Sequence, residues 1–189
     1  MFAPVRTVAP ASTPVSLAEA KAHLRVEYND EDRVIEALID AATAHLDGWT
    51  GIMGRCLVTQ TWRADYAGFD DLRLPLWPVA SVTSLTYRDA ADTVATINAA
   101  NYQVAAGHQG AFIVAAPGFS WPVLSERLAP VSITAVYGNP AADVPGAIRA
   151  ALLMMVGDLY VNREGAVSDR LRPNPTLDKL LAPFRRVTL

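Results

Sequence analysis

Between Val34 and Trp49 the large apolar residues recur every three or four positions, at Val34, Ile35, Leu38, Ile39, Ala42, Leu46 and Trp49, the stripe of an amphipathic helix. Its first turn is acidic at Asp30, Glu31 and Asp32, as the positive end of a helix dipole favours. Asn29 or Asp30 supplies the cap, and Gly48 and Gly51 are natural stops, so the helix is predicted over 30–47. Upstream, Ser16-Leu-Ala-Glu19 forms a capping box, in which the Ser16 hydroxyl accepts from the Glu19 amide while the Glu19 carboxylate reaches back; a short helix over 16–26 follows.

From Arg55 the period changes to two. Cys56, Val58, Trp62, Ala64 and Tyr66 alternate with Thr59, Thr61, Arg63 and Asp65, which predicts a half-buried strand. Pro75 and Pro78 then divide two extended runs, because proline fixes φ and removes an amide donor: Leu72–Leu74 ends at Pro75 and a new strand begins after Pro78. In that strand Thr83, Leu85 and Tyr87 alternate with Ser84, Thr86 and Arg88; turn residues at Asp89–Asp92 and a β-branched run at Thr93–Ile97 complete a hairpin. Further strands are predicted at Tyr102–Val104, Ala111–Val114 and Val131–Tyr137, with residues 107–110 turning the first two into a hairpin. Residues 117–130 form a loop, either a binding loop or a subunit contact.

A long helix starts at Val144 or Pro145 and runs to Arg163 or Glu164. One stripe, Ile148, Leu152, Met155 and Leu159, serves a core. A second, Leu153, Val156 and Tyr160, is the candidate subunit interface, with burial inside the same domain as the alternative. The termini differ from this middle. The first fourteen residues hold Pro4, Pro10 and Pro14 among small residues and read as an arm. After Gly165 a polar, proline-punctuated linker leads to a short turn over Thr176–Leu181, and Pro183 releases an extended tail, Phe184-Arg185-Arg186-Val187-Thr188-Leu189. Its alternation of apolar and basic residues suits addition to a partner's sheet or groove, against the ordinary fraying of a chain end.

The resulting fold class is α+β: a helical core of two to three main helices plus a small antiparallel β unit, with extended N- and C-terminal arms. The expected organisation is an arm over 1–14, a main domain over 15–165 with its β unit at 55–138, and a linker, short helix and docking tail over 166–189. With 189 residues, 51% hydrophobic and 19% charged, the chain is long enough for one compact domain. A net charge of -3 argues against a protein that grips phosphate backbone or reads DNA sequence. No apolar run approaches the roughly 20 residues of a membrane helix, and the first residues lack the pattern of a signal peptide.

Candidate chemistry is thin. Cys56 is the single cysteine, so an internal disulfide is excluded and packing is its expected role. His23, His45 and His108 fall in different elements, without metal-ligand spacing. Gly51–Gly54 and Gly107–Gly110 lack the lysine and the strand-to-helix context of a phosphate loop, and no serine sits in a nucleophile elbow. The acidic triplet is explained by its helix terminus. No enzyme, cofactor or metal is expected. The alternative to a structural role is a small-ligand-binding α+β module using Trp62, Trp77 and Trp121 around a pocket.

The pattern Leu74-Pro75, Pro78-Val79, Ser81-Val82 and Leu85-Thr86-Tyr87-Arg88-Asp89, following two helices, resembles the head-tail connector, or adaptor, proteins of long-tailed bacteriophages and of phage-derived gene transfer agents, those of alphaproteobacteria included. The resemblance runs from about Val15 to the C-terminus. It implies a structural subunit of a dodecameric ring beneath the portal at the capsid vertex, which extends the DNA channel without sequence recognition. It also implies a surface for the next tail-side stopper or head-completion protein. The expected location is the head-tail junction of a virion or phage-like particle assembled in the host bacterial cytoplasm. Phe184, Arg185, Arg186, Val187 and Leu189 are, by the same resemblance, the arm that engages the portal protein.

Overall fold

A computed structural model of the chain describes residues 1–107, 110–163 and 175–185. Two compact units interleave in sequence: a sheet unit of Met1–Ala11 with Thr59–Asn139, and a helical unit of Ser12–Val58 with the described residues from Pro140 to Arg185.

The helical unit contains α1 (Leu17–Leu24), α2 (Asp32–Leu46), α3 (Gly146–Val161) and α4 (Pro175–Leu181). The capping box of α1 is formed: the Ser16 and Glu19 amides donate to Glu19 Oε2 and Ser16 Oγ at 2.9 and 3.2 Å. The helix ends at Arg25, whose φ of 58° is left-handed. Lys21 Nζ then reaches Asn29 Oδ1 at 2.7 Å and Asp32 Oδ1 at 2.6 Å. With Asn29 engaged by that lysine, α2 starts at Asp32 behind Glu31 and has no side-chain cap, in contrast to the expectation. Its inner face is Ile35, Ile39, Ala42 and Leu46, which share a core with Ile148, Ala151, Leu152 and Val156 of α3 and with Ala20 and Leu181. Each fully buried Ile or Leu here is worth about 1.5–3 kcal/mol. Val34 and Trp49, assigned to the same stripe by spacing, are exposed.

Between α2 and the sheet the chain doubles back on the helix end. The Leu57 amide donates to Asp47 Oδ1 at 2.6 Å, Gly48 to the Arg55 carbonyl at 2.8 Å, and Ile52 to the His45 carbonyl at 2.9 Å. These bonds explain why Cys56–Val58, predicted as strand, is a buried connection and the ladder starts only at Gln60.

The sheet unit has five antiparallel strands in the order β1 (Val5–Val8), β2 (Gln60–Tyr66), β7 (Val131–Tyr137), β3 (Val79–Arg88) and β4 (Val94–Thr96). On β2 and β7 alternate residues are buried, as the period of two predicted. On β3 the register slips: Val82 faces Ala135 and Ser84 faces Thr134, leaving Thr83 as an extra, bulged residue. Val82, not Thr83, therefore shares a face with Leu85 and Tyr87. The N-terminal arm contributes β1, with Val5 opposite Arg63 and Arg6 opposite Trp62. A second sheet is the predicted hairpin of β5 (Tyr102–Gly107) and β6 (Gly110–Ala115). Leu72–Leu74 runs along β6, the Leu74 amide donating to Ala111 and that of Ile113 to Leu72 at 2.8 and 3.0 Å. The 117–130 loop is pinned by Trp121 stacked on Phe69, with ring centroids 4.5 Å apart, and by Arg127, whose two nitrogens meet Asp92 at 2.6 and 2.5 Å.

Candidate docking surfaces

Three sets of residues were candidates for function, and the fold treats each differently. Beyond α4, Ala182–Phe184 closes a 3-10 turn instead of starting an extended tail. The Phe184 ring is half-buried against the helical core, and the Arg55 guanidinium lies 5.8 Å from its centroid. Arg55 is itself buried, and desolvation pulls its pKa below the usual arginine value. Arg185 follows with extended backbone and an ion pair to Asp178 at 2.7 Å. Arg186, Val187, Thr188 and Leu189 lie outside the described residues. Phe184 thus serves as an anchor on the chain's own core. Arg55 was missed as its partner because, in sequence, it reads as the first residue of a strand.

The proposed interface on α3 requires correction. Val156 is 1% exposed and belongs to the core, so it is closed to a neighbour. Leu153 and Tyr160 are half-buried against the same core. The Tyr160 hydroxyl donates to Glu31 Oε2, Arg163 Nη1 meets Glu31 Oε1 at 2.7 Å, and the Arg163 guanidinium stacks 4.2 Å above the Tyr160 ring. This cluster ties the end of α3 to the start of α2. It holds the Glu31 carboxyl below its ordinary pKa, chiefly through the Tyr160 hydroxyl and then Arg163, and pushes the tyrosine up to about 12.

The tryptophans do not converge on a ligand site. Trp62 is buried in β2 with its Nε1 donating to Gln60 Oε1 at 3.0 Å, Trp77 is exposed, and Trp121 stacks on Phe69. A cavity of about 460 Å³ in the sheet unit is lined by Asp70–Arg73 and by β6, with none of the tryptophans in its wall. Among the described residues no three His, Cys, Asp or Glu side chains gather as metal ligands, and no helix is long and apolar enough to cross a membrane. His108 lies outside the described residues.

Residues 14–72 match the family model of phage gp6-like head-tail connector proteins. No curated protein matches the chain. Among solved structures, a chain of the neck of an empty GTA particle, computed with C6 symmetry, superposes with a TM-score of 0.79 at 21% identity. A chain of the virion of a native gene transfer agent (GTA) particle gives 0.76 at 22%, and one of the neck of a native GTA particle, computed with C12 symmetry, gives 0.70 at 21%. Each likeness covers 100% of this chain and 97% of the other. Residues 14–72 are thus similar in sequence to head-tail connector proteins, and the chain shares its fold along its full length with chains of the GTA neck.

Proposed function

We propose that this chain is the adaptor subunit of a gene transfer agent or related phage-like particle, acting by assembly and not by turnover. Copies form a ring, twelvefold by analogy with the native neck, beneath the portal at the capsid vertex. The ring extends the DNA channel and offers its far side to the next tail protein. The observation that carries this reading is the full-length likeness to chains of the GTA neck, added to the connector sequence of residues 14–72. The net charge of -3 fits a channel through which DNA slides, since dense Lys and Arg would hold the phosphates. The last residues, Arg186–Leu189, engage the portal; Phe184, seated on the helical core, fixes the point from which they depart.

The test is size-exclusion chromatography with light scattering of the protein alone and mixed with portal rings, comparing the full chain with one ending at Arg185. Ending there spares the Phe184 anchor, so a loss of binding reports docking and not unfolding. Co-elution of the full chain and its loss in the shortened one are expected. Absence of association in both removes the portal assignment.

A further inference from the structure

Helix α3 is apolar on nearly every side: Arg149 and Asp158 are its only charged residues. A helix of that composition is ordinarily enclosed all round. Its inner side is enclosed by the core through Ile148, Leu152 and Val156, but the opposite side carries Ala150, Met154 and Val161, of which Val161 is 79% exposed. Helix α2 repeats the arrangement. Val34, Ala37, Ala41 and Ala44 are all exposed, and at about 100° per residue their strip lies opposite Ile35, Ile39, Ala42 and Leu46. Because α2 and α3 share one core through their inner faces, these two outer strips look away from each other. A head-to-tail ring needs two different surfaces on opposite sides of one subunit.

Charge sets the register. With the ring axis taken parallel to these helices, rotation about it has no rise, so residues meet only at equal height. The contacts of Glu31 with Tyr160 and Arg163 put the start of α2 level with the end of α3. Arg33 and Asp158 therefore stand at nearly the same height, opposite in sign and both exposed, and neither forms an ion pair among the described residues. Counting from the same contacts, Ala41 is level with Ala150.

We propose that the outer strip of α3 in one copy docks on the outer strip of α2 in the next, with Asp158 paired to Arg33 across the contact. This inference rests on the ring reading above and names its surfaces. It is tested in the full chain by the double variant Ala41→Cys/Ala150→Cys under mild oxidation, with each single variant as control and light scattering in parallel. A ladder beyond dimers is expected from the double variant alone. Adding Arg33→Asp should weaken the ladder several-fold, and combining Arg33→Asp with Asp158→Arg should restore it. Multimers by light scattering without a ladder, or a ladder indifferent to Arg33, overturn this pairing while the ring stands. Monomers without a ladder overturn both the pairing and self-assembly of the free protein, and co-elution with portal rings then judges the connector assignment separately.

Discussion

A Cβ built on Gly51 would sit 2.4 Å from the Asp47 carbonyl oxygen and the Leu46 carbonyl carbon, so the turn closes only because that atom is missing. The obstacle is backbone at a helix end, which yields less readily than a flexible side chain. Gly51→Ala is expected to cost about 1–3 kcal/mol, read as a lowered urea midpoint at unchanged slope. Glu31 gives a second prediction. Its folded pKa lies below the ordinary 4.5, so its contribution is complete above that value and disappears as pH falls through the lower folded value. Melting temperature should therefore fall more steeply below pH 4.5 in the natural chain than in Glu31→Gln, the two curves converging in acid. Parallel curves would show that the Tyr160 and Arg163 contacts do not couple to folding.

Elements were legible where periodicity was long and uninterrupted. Both core helices and the β2 and β7 strands follow from spacing alone, and the capping box marks the start of α1 to the residue. Three features were not. The Thr83 bulge shifts the inward set of β3 by one position, and no composition signals a bulge. Val5–Val8 is too short to declare itself and exists because β2 offers it an edge. The inner stripes of α2 and α3 were read together with residues of their outer sides, since apolar residues on two faces blur one period into a broad band. That blurring concealed the candidate surface: of the two readings weighed for Val156, subunit interface or burial within the domain, burial is what the fold shows, and Val161 was overlooked. At this scale the 117–130 loop offers a clean test. Arg127→Ala removes both bonds to Asp92, and hydrogen exchange at the Ser125 amide, which donates to the Arg88 carbonyl, should accelerate while the melting temperature barely moves. Unchanged exchange would show that the loop is held without Arg127, by the Phe69–Trp121 stack and the backbone bonds to Arg88 and Asp89.

For the molecule as a whole, the C-terminus must be divided between folding and docking. Phe184→Ala removes a half-buried ring and its contact with Arg55, and about 1–2 kcal/mol of stability should go with it. A full chain carrying this change would show a lowered midpoint in chemical denaturation; removal of Arg186–Leu189 should leave that midpoint in place and affect only partner binding. Equal losses from the two changes would mean that the last four residues are also part of the folded core. The interleaving of the units has a different consequence. The chain enters the sheet unit at Thr59 and leaves it at Asn139, and the Thr59 amide donates to the Asn139 carbonyl at 2.9 Å. Entrance and exit are one doorway. The segment between them is thus a cassette whose length can change without lengthening any linker in the helical unit. Among the described residues, β1, supplied from the N-terminal end of the chain, must travel with it.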